Sequence, residues 1–101
     1  MINLSVLMCV YNEDRDAVIQ TVDSILNQTY NQRFEFLIIL NNPNNLILKS
    51  LLVSLSQKHN EISVEFSKKK QSIGAGLNTL ILKSKGKYIA RMDPEDISLP
   101  E

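Results

Sequence analysis

The sequence predicts an α/β fold: a three-layer α/β/α sandwich around a mainly parallel sheet, with its elements in the order βαβαβαβ. Short apolar runs bounded by turn residues alternate with segments whose apolar residues recur at helical spacing. That alternation is the signature of strand–helix–strand units with right-handed crossovers. The apolar runs are nearly continuous, as expected where helices cover both faces of a sheet. Acidic and polar residues also gather just beyond the runs, and in open sheets of this kind ligands bind outside the carboxyl ends of the strands.

Residues 3–10, Asn3-Leu4-Ser5-Val6-Leu7-Met8-Cys9-Val10, form the first buried strand, and Tyr11-Asn12-Glu13 is the turn after it. Asp14 or Asp16 can cap the following helix, whose first turn favours acids. In that helix Val18, Val22, Ile25 and Leu26 fall on one face. Residues 34–40 make a second buried strand, ended by the turn Asn41-Asn42-Pro43-Asn44-Asn45. Leu48, Leu51, Leu52 and Leu55 mark a second helix, and residues 61–66 a third strand in which Ile62, Val64 and Phe66 alternate with polar residues. Lys68 to Ser72 is a polar loop. Leu77, Leu80 and Ile81 mark a third helix, with Gly86 expected near its C-cap, and residues 87–92 are expected to be a fourth, buried strand.

The chain of 101 residues is expected to be one domain. Its 11 basic and 11 acidic residues balance, which argues against a basic nucleic-acid footprint. Cys9 is the single cysteine, so a disulfide framework is excluded and a reducing compartment is the simple reading. No apolar run approaches the ~20 residues of a membrane span, and the start Met1-Ile2-Asn3-Leu4-Ser5 lacks the basic and apolar regions of a signal peptide. The expected location is the cytoplasm, with peripheral attachment to the inner membrane face left to parts outside these residues.

The richest segment is Arg91-Met92-Asp93-Pro94-Glu95-Asp96-Ile97-Ser98-Leu99-Pro100, where three carboxylates fall within four residues at the end of the fourth strand. A divalent cation would relieve their repulsion, and hard oxygen ligands suit Mg²⁺ or Mn²⁺ shared with substrate phosphates. The competing reading is a solvated acidic turn, with Asp96 or Ser98 capping a later helix. Gly74-Ala75-Gly76 opens the third helix; it can approach a phosphate or pack closely on the sheet, and packing is favoured because the dinucleotide fingerprint is absent. Tyr11 can stack on a planar base or sit half-buried in its turn. Lys68-Lys69-Lys70 reads as a solvated loop, His59 as a lone surface histidine and Cys9 as core. No nucleophile elbow, P-loop or zinc spacing is present.

Taken together the motifs resemble family 2 nucleotide-sugar glycosyltransferases of the GT-A fold, in their N-terminal, nucleotide-binding, Rossmann-like half. The resemblance rests on Leu4 to Glu13, on Ser24-Ile25-Leu26-Asn27-Gln28-Thr29-Tyr30, and on Ile73-Gly74-Ala75-Gly76-Leu77-Asn78. It continues through Gly86-Lys87-Tyr88-Ile89-Ala90-Arg91-Met92-Asp93 and Asp96-Ile97-Ser98-Leu99-Pro100. It runs nearly end to end, and the nearest subgroup builds bacterial surface polysaccharides. The resemblance implies an inverting, metal-dependent transfer of a sugar from a nucleoside-diphosphate sugar, a UDP-sugar favoured, to a glycan acceptor. It implies that Cys9, Tyr11, Glu13 and Asn41 or Asn42 surround the base. Gly74 and Asn78 would also face the nucleotide. Asp93 would reach the ribose or metal, and Glu95, with Asp93 and Asp96, would ligate Mn²⁺ or Mg²⁺.

This chain departs from the family pattern in three ways. The second strand ends in Asn41-Asn42 where an acid is usual, so hydrogen bonding remains but charge does not. The metal motif reads Asp93-Pro94-Glu95 in place of Asp-x-Asp, and the longer glutamate is expected to weaken metal binding. The general base and acceptor site are expected beyond residue 101, and the fourth strand is expected to be an open edge through which copies associate. The alternative function is a truncated or degenerate non-catalytic module for nucleotide binding or interaction. A phospho-acceptor signalling domain is disfavoured, because Phe66-Ser67-Lys68 offers no aspartate at the third strand's end.

Overall fold

The computed structural model describes residues 2–28 and 33–94. The elements are β1 (Leu4–Val10), α1 (Arg15–Gln28), β2 (Phe34–Leu40), α2 (Leu46–Lys58), β3 (Ile62–Phe66), α3 (Ile73–Lys83) and β4 (Tyr88–Arg91). The strands form one parallel sheet in the order β3-β2-β1-β4. β1 pairs along its length with β2, Leu4 opposite Phe34 through Val10 opposite Leu40. On its other side β1 pairs with β4, Leu4 opposite Tyr88 through Leu7 opposite Arg91. β3 closes the far side, Phe36 opposite Ile62 through Leu40 opposite Phe66.

Alternation along β1 divides the core between the two faces. Val6, Met8 and Val10 meet Val18, Val22 and Ile25 of α1 and Leu48, Leu51, Leu52 and Leu55 of α2. Leu7 and Cys9 point the other way and join Leu37, Ile39 and Leu80 beneath α3. Each fully buried aliphatic side chain contributes roughly 1.5–3 kcal/mol relative to exposure, so the two-helix face holds the larger share. The helices start where polar side chains satisfy free amides. Asp14 Oδ2 accepts from the N–H groups of Asp16 and Ala17 at 3.1 and 3.3 Å. Asn45 Oδ1 accepts from Leu48 N–H at 3.0 Å, and Ser72 Oγ from Ala75 N–H at 3.1 Å.

Two expectations are corrected. All four residues of β4 are exposed, not buried. Among the described residues β4 has one strand neighbour, and α3 does not reach over it, so Tyr88 and Ile89 stay 58% and 50% exposed. Gly86 does not cap α3. The helix ends at Ser84 in extended conformation, with Ser84 N–H donating to Ile81 O, and no described glycine has positive φ. Gly86 instead lies against β1, where an added Cβ would fall 2.5 Å from Ser5 N and 2.8 Å from Leu4 C. Its N–H donates to Ser5 Oγ at 2.7 Å, and that hydroxyl donates to Glu35 Oε2 at 2.6 Å. The fully buried Ser5 thus joins β1, β2 and the approach to β4.

Candidate functional site

β1 is flanked by strands whose connections leave on opposite faces, α1 following β1 on one side and α3 preceding β4 on the other. Between the carboxyl ends of β1 and β4 the connections diverge and leave a crevice, the switch point at which sheets of this class take their ligands. A cleft of about 250 Å³ occupies it, lined by Cys9, Glu13, Ile73, Arg91, Asp93 and Pro94.

Hydrogen bonds fix each wall. On the β1 side, Tyr11 N–H donates to Glu13 Oε1 at 2.6 Å, which folds the Glu13 side chain back over the turn. Below it the Cys9 thiol donates to the Ile73 carbonyl at 3.6 Å, linking β1 to the first residue of α3. Burial raises the Cys9 thiol above its ordinary value of 9.0; a hydrogen bond from the Asn41 side chain and the nearby Arg91 charge oppose this only in part. On the β4 side, Met92 N–H donates to Leu7 O at 2.9 Å, continuing the ladder one step past the strand. Pro94 is buried, and its carbonyl accepts from Thr21 Oγ1 of α1 at 2.7 Å. Asp93 stands between these anchors, its carboxylate 57% exposed and 3.2 Å from Arg91 Nη2. The cleft therefore carries two carboxylates and a guanidinium around a partly apolar floor.

Of the residues expected at a site, Cys9, Glu13 and Asp93 line this cleft. Tyr11 lies half-buried on the adjoining turn, and Gly74 is exposed in the first turn of α3 beside Ile73. Asn78 is exposed further along α3 and is not among the lining residues. Asn41 and Asn42 follow β2, on the other side of β1 from β4, and do not line the cleft; they are 1% and 6% exposed, and both amides make hydrogen bonds. Asn41 Oδ1 accepts from Gln71 Nε2 at 2.8 Å and its Nδ2 donates to Ser72 O at 3.4 Å. Asn42 Nδ2 donates to Asn12 Oδ1 at 2.7 Å, and its Oδ1 accepts from Asn44 N–H at 3.2 Å. Gly76 supports the packing reading of the Gly74-Ala75-Gly76 segment, for its Cβ would lie 2.6 Å from Asn41 Oδ1. Glu95 and Asp96 lie outside the described residues. Among the described residues no group of three His, Cys, Asp or Glu side chains could hold a metal by itself.

Sequence reasoning missed Arg91, Ile73, Pro94 and Thr21. Arg91 and Asp93 are spaced i, i+2 at the end of a strand, which places them on one face. Thr21 was visible as the one hydroxyl on the apolar stripe of α1, with Val18, Val22 and Ile25.

The chain belongs to glycosyl transferase family 2, whose family profile matches residues 5–101. It is 36% identical over 98 residues to an uncharacterized glycosyltransferase of Methanocaldococcus jannaschii, covering 97% of this chain and 33% of that protein. It is 35% identical over 97 residues to the O-antigen biosynthesis glycosyltransferase WbnJ of Escherichia coli, covering 96% of this chain and 37% of the relative. The chain thus spans about a third of the length of these curated relatives. The fold superposes on the mannosyltransferase PcManGT from Pyrobaculum calidifontis in complex with GDP-Man and Mn²⁺, with TM-score 0.81 and 15% identity. That match covers 94% of this chain and 28% of the mannosyltransferase. A second match is to S. aureus TarS 1–349, with TM-score 0.80 and 16% identity over 95% of this chain and 28% of that one. At these identities the likeness shows the GT-A fold.

Proposed function

We propose that this chain is the donor-binding part of an inverting, metal-dependent glycosyltransferase of bacterial surface polysaccharide synthesis. Its donor would be a nucleoside-diphosphate sugar and its acceptor a glycan. One observation carries the reading: the cleft at the β1/β4 switch point presents the solvent-facing carboxylate of Asp93 between Arg91 and the Glu13 wall. In this reading Cys9, Tyr11 and Glu13 surround the base, and the opening turn of α3 at Gly74 faces the diphosphate, which a helix N-terminus favours. Asn41 or Asn42 would contact the base from the end of β2, and the Asn41 side chain also bonds the cleft residue Cys9. Asn78 takes a peripheral place.

The donor set suits Mn²⁺ or Mg²⁺. Asp93 offers hard carboxylate oxygen at the cleft rim, and such ions keep water and substrate phosphate in the rest of their shell, so a complete protein cage is not required. Glu95 and Asp96 are the proposed further ligands. When bound, the cation would supply neutralising charge to the departing nucleoside diphosphate. The chain's own residues bind and orient the donor; the general base and acceptor site are placed beyond residue 101. A UDP-sugar is the favoured donor, and the GDP-Man held by the Pyrobaculum enzyme makes GDP the competitor to test. Among the described residues no helix is long and apolar enough to cross a membrane, which accords with a cytoplasmic place, peripheral to the inner membrane face.

The test is calorimetric titration of the chain with UDP and with GDP, each with and without Mn²⁺, repeated on Asp93→Ala. Metal-dependent binding that the variant loses supports the reading. A folded wild-type chain that binds neither nucleotide would refute it. That outcome would favour a non-catalytic module, a reading consistent with amides at Asn41 and Asn42 that already make bonds within the fold.

A further inference from the structure

Thr21 lies within α1 and is fully buried on the stripe that packs against the sheet. Its hydroxyl reaches two carbonyls, Ala17 O at 3.0 Å and Pro94 O at 2.7 Å. The first is the usual back-bond of a helical threonine. The second is shorter and joins residues 73 apart in sequence.

Its partner sits at a point where the backbone cannot anchor itself by donation, because proline has no N–H. Just before it, Met92 N–H is tied to Leu7 O at 2.9 Å. Asp93 is therefore bracketed by a backbone bond to β1 and a side-chain bond to α1. Arg91 Nη2 meets the Asp93 carboxylate at 3.2 Å, and the bracket fixes the backbone that carries that carboxylate. The same helix begins two residues after Glu13, the opposite acidic wall of the cleft. The Thr21 bond thereby links the helix that follows the Glu13 wall to the wall that carries Asp93 and Pro94.

We propose that Thr21 is a positioning residue for the nucleotide–metal site: its hydroxyl holds the Asp93–Pro94 segment so that the Asp93 carboxylate faces the cleft. This rests on the proposed function of the cleft. Thr21 touches no ligand and acts through Pro94 and Asp93.

The test compares Thr21→Val, which keeps the shape and removes the hydroxyl, with Thr21→Ser, which keeps the hydroxyl. Ile25→Val serves as a core truncation on the same stripe. Two quantities are read: UDP affinity with and without Mn²⁺, and amide hydrogen exchange at Met92 and Asp93. Thr21→Val is expected to weaken Mn²⁺-dependent binding by roughly five- to tenfold, the scale of one lost hydrogen bond, while metal-free binding is unchanged and exchange at Asp93 quickens. Thr21→Ser restores both, and Ile25→Val lowers stability without moving either. Thr21→Ala gives the same comparison where the valine variant fails to fold. Wild-type-like binding and exchange in the hydroxyl-free variants, or a loss in Thr21→Ser equal to theirs, would overturn the proposal. Should the wild-type chain bind no nucleotide, the functional reading fails by itself and exchange alone decides Thr21: faster exchange at Asp93, rescued by serine, supports its role, and unchanged exchange overturns it.

Discussion

Replacing Gly76 with alanine sets two effects of similar size against each other. In a helix interior, alanine is favoured over glycine by about 1 kcal/mol. At Gly76, however, the new Cβ would stand 2.6, 2.7 and 3.0 Å from Oδ1, Nδ2 and Cγ of Asn41. Asn41 is only 1% exposed, and its amide is held by Gln71 Nε2 at 2.8 Å and Ser72 O at 3.4 Å. To make room it must turn and release these bonds. Overpacking costs roughly 1–3 kcal/mol, and each buried polar group left unpaired adds about 1–3 kcal/mol. The unfavourable terms exceed the propensity gain, and the expected result is a net loss of about 1–3 kcal/mol, or roughly 4–8 °C in Tm for each kcal/mol at this chain length. Gly74, three ångströms of helix rise away, is the internal control. Its Cβ would lie 3.9 Å from Ser72 Oγ, ordinary contact at an exposed position, so Gly74→Ala should gain about 0.4–1 kcal/mol. Urea denaturation followed by circular dichroism reads both. A Gly76→Ala chain as stable as wild type would refute the reasoning, as would a penalty that does not shrink when Asn41 is first shortened to serine.

Gly86→Ala should be harsher, toward the upper end of roughly 1–3 kcal/mol, because the obstruction is the backbone nitrogen of Ser5 at 2.5 Å, which has no rotamer to change; thermal melts check this. Cys9 gives a pH dependence. Burial raises its thiol above 9.0, so the folded chain holds the proton after the unfolded chain has released it. Its contribution is complete below pH 9.0 and declines as pH rises through the folded value; the wild-type minus Cys9→Ala difference in urea midpoint should therefore narrow above that pH. Among the described residues nothing pairs with the outer edge of β4, where Ile89 is half exposed, and this edge should let copies pair at high concentration. Light scattering should show association that Ile89→Lys abolishes, and a clean wild-type monomer would contradict it.

The strands were legible because parallel strands covered by helices are short, continuous apolar runs. Phe34–Leu40 was bounded correctly, and β1 lost one residue, Asn3. Helix limits were less legible. Leu46 and Ile47 belong to α2 yet lie off its buried stripe, 69% and 67% exposed, and it is the Asn45 cap that brings them into the helix. The fourth strand read as buried because its composition is apolar, but burial depends on neighbours that composition does not record. The same limit applies at the site. Glu13 and Asp93 follow strands, so the fold rule alone sends them to the cleft rim, whereas Cys9 lies within β1 and reads as core. Asn41 and Asn42 also follow a strand, and only the packing of Gly76, Gln71 and Asn12 around them shows that their amides are already engaged. Thr21 was the least legible, since its partner is 73 residues away.

β1 lies inside the sheet, and β4, the last of the described strands in sequence, reaches it across long separations such as the 81 residues between Ser5 and Gly86. During synthesis on the ribosome, β1, β2 and β3 can pair while β4 is still unmade. One wall of the cleft, with Arg91, Asp93 and Pro94, does not yet exist at that stage. The cleft is complete only when β4 lies against β1, and on the proposed function that closing is the step a bound ligand would stabilise.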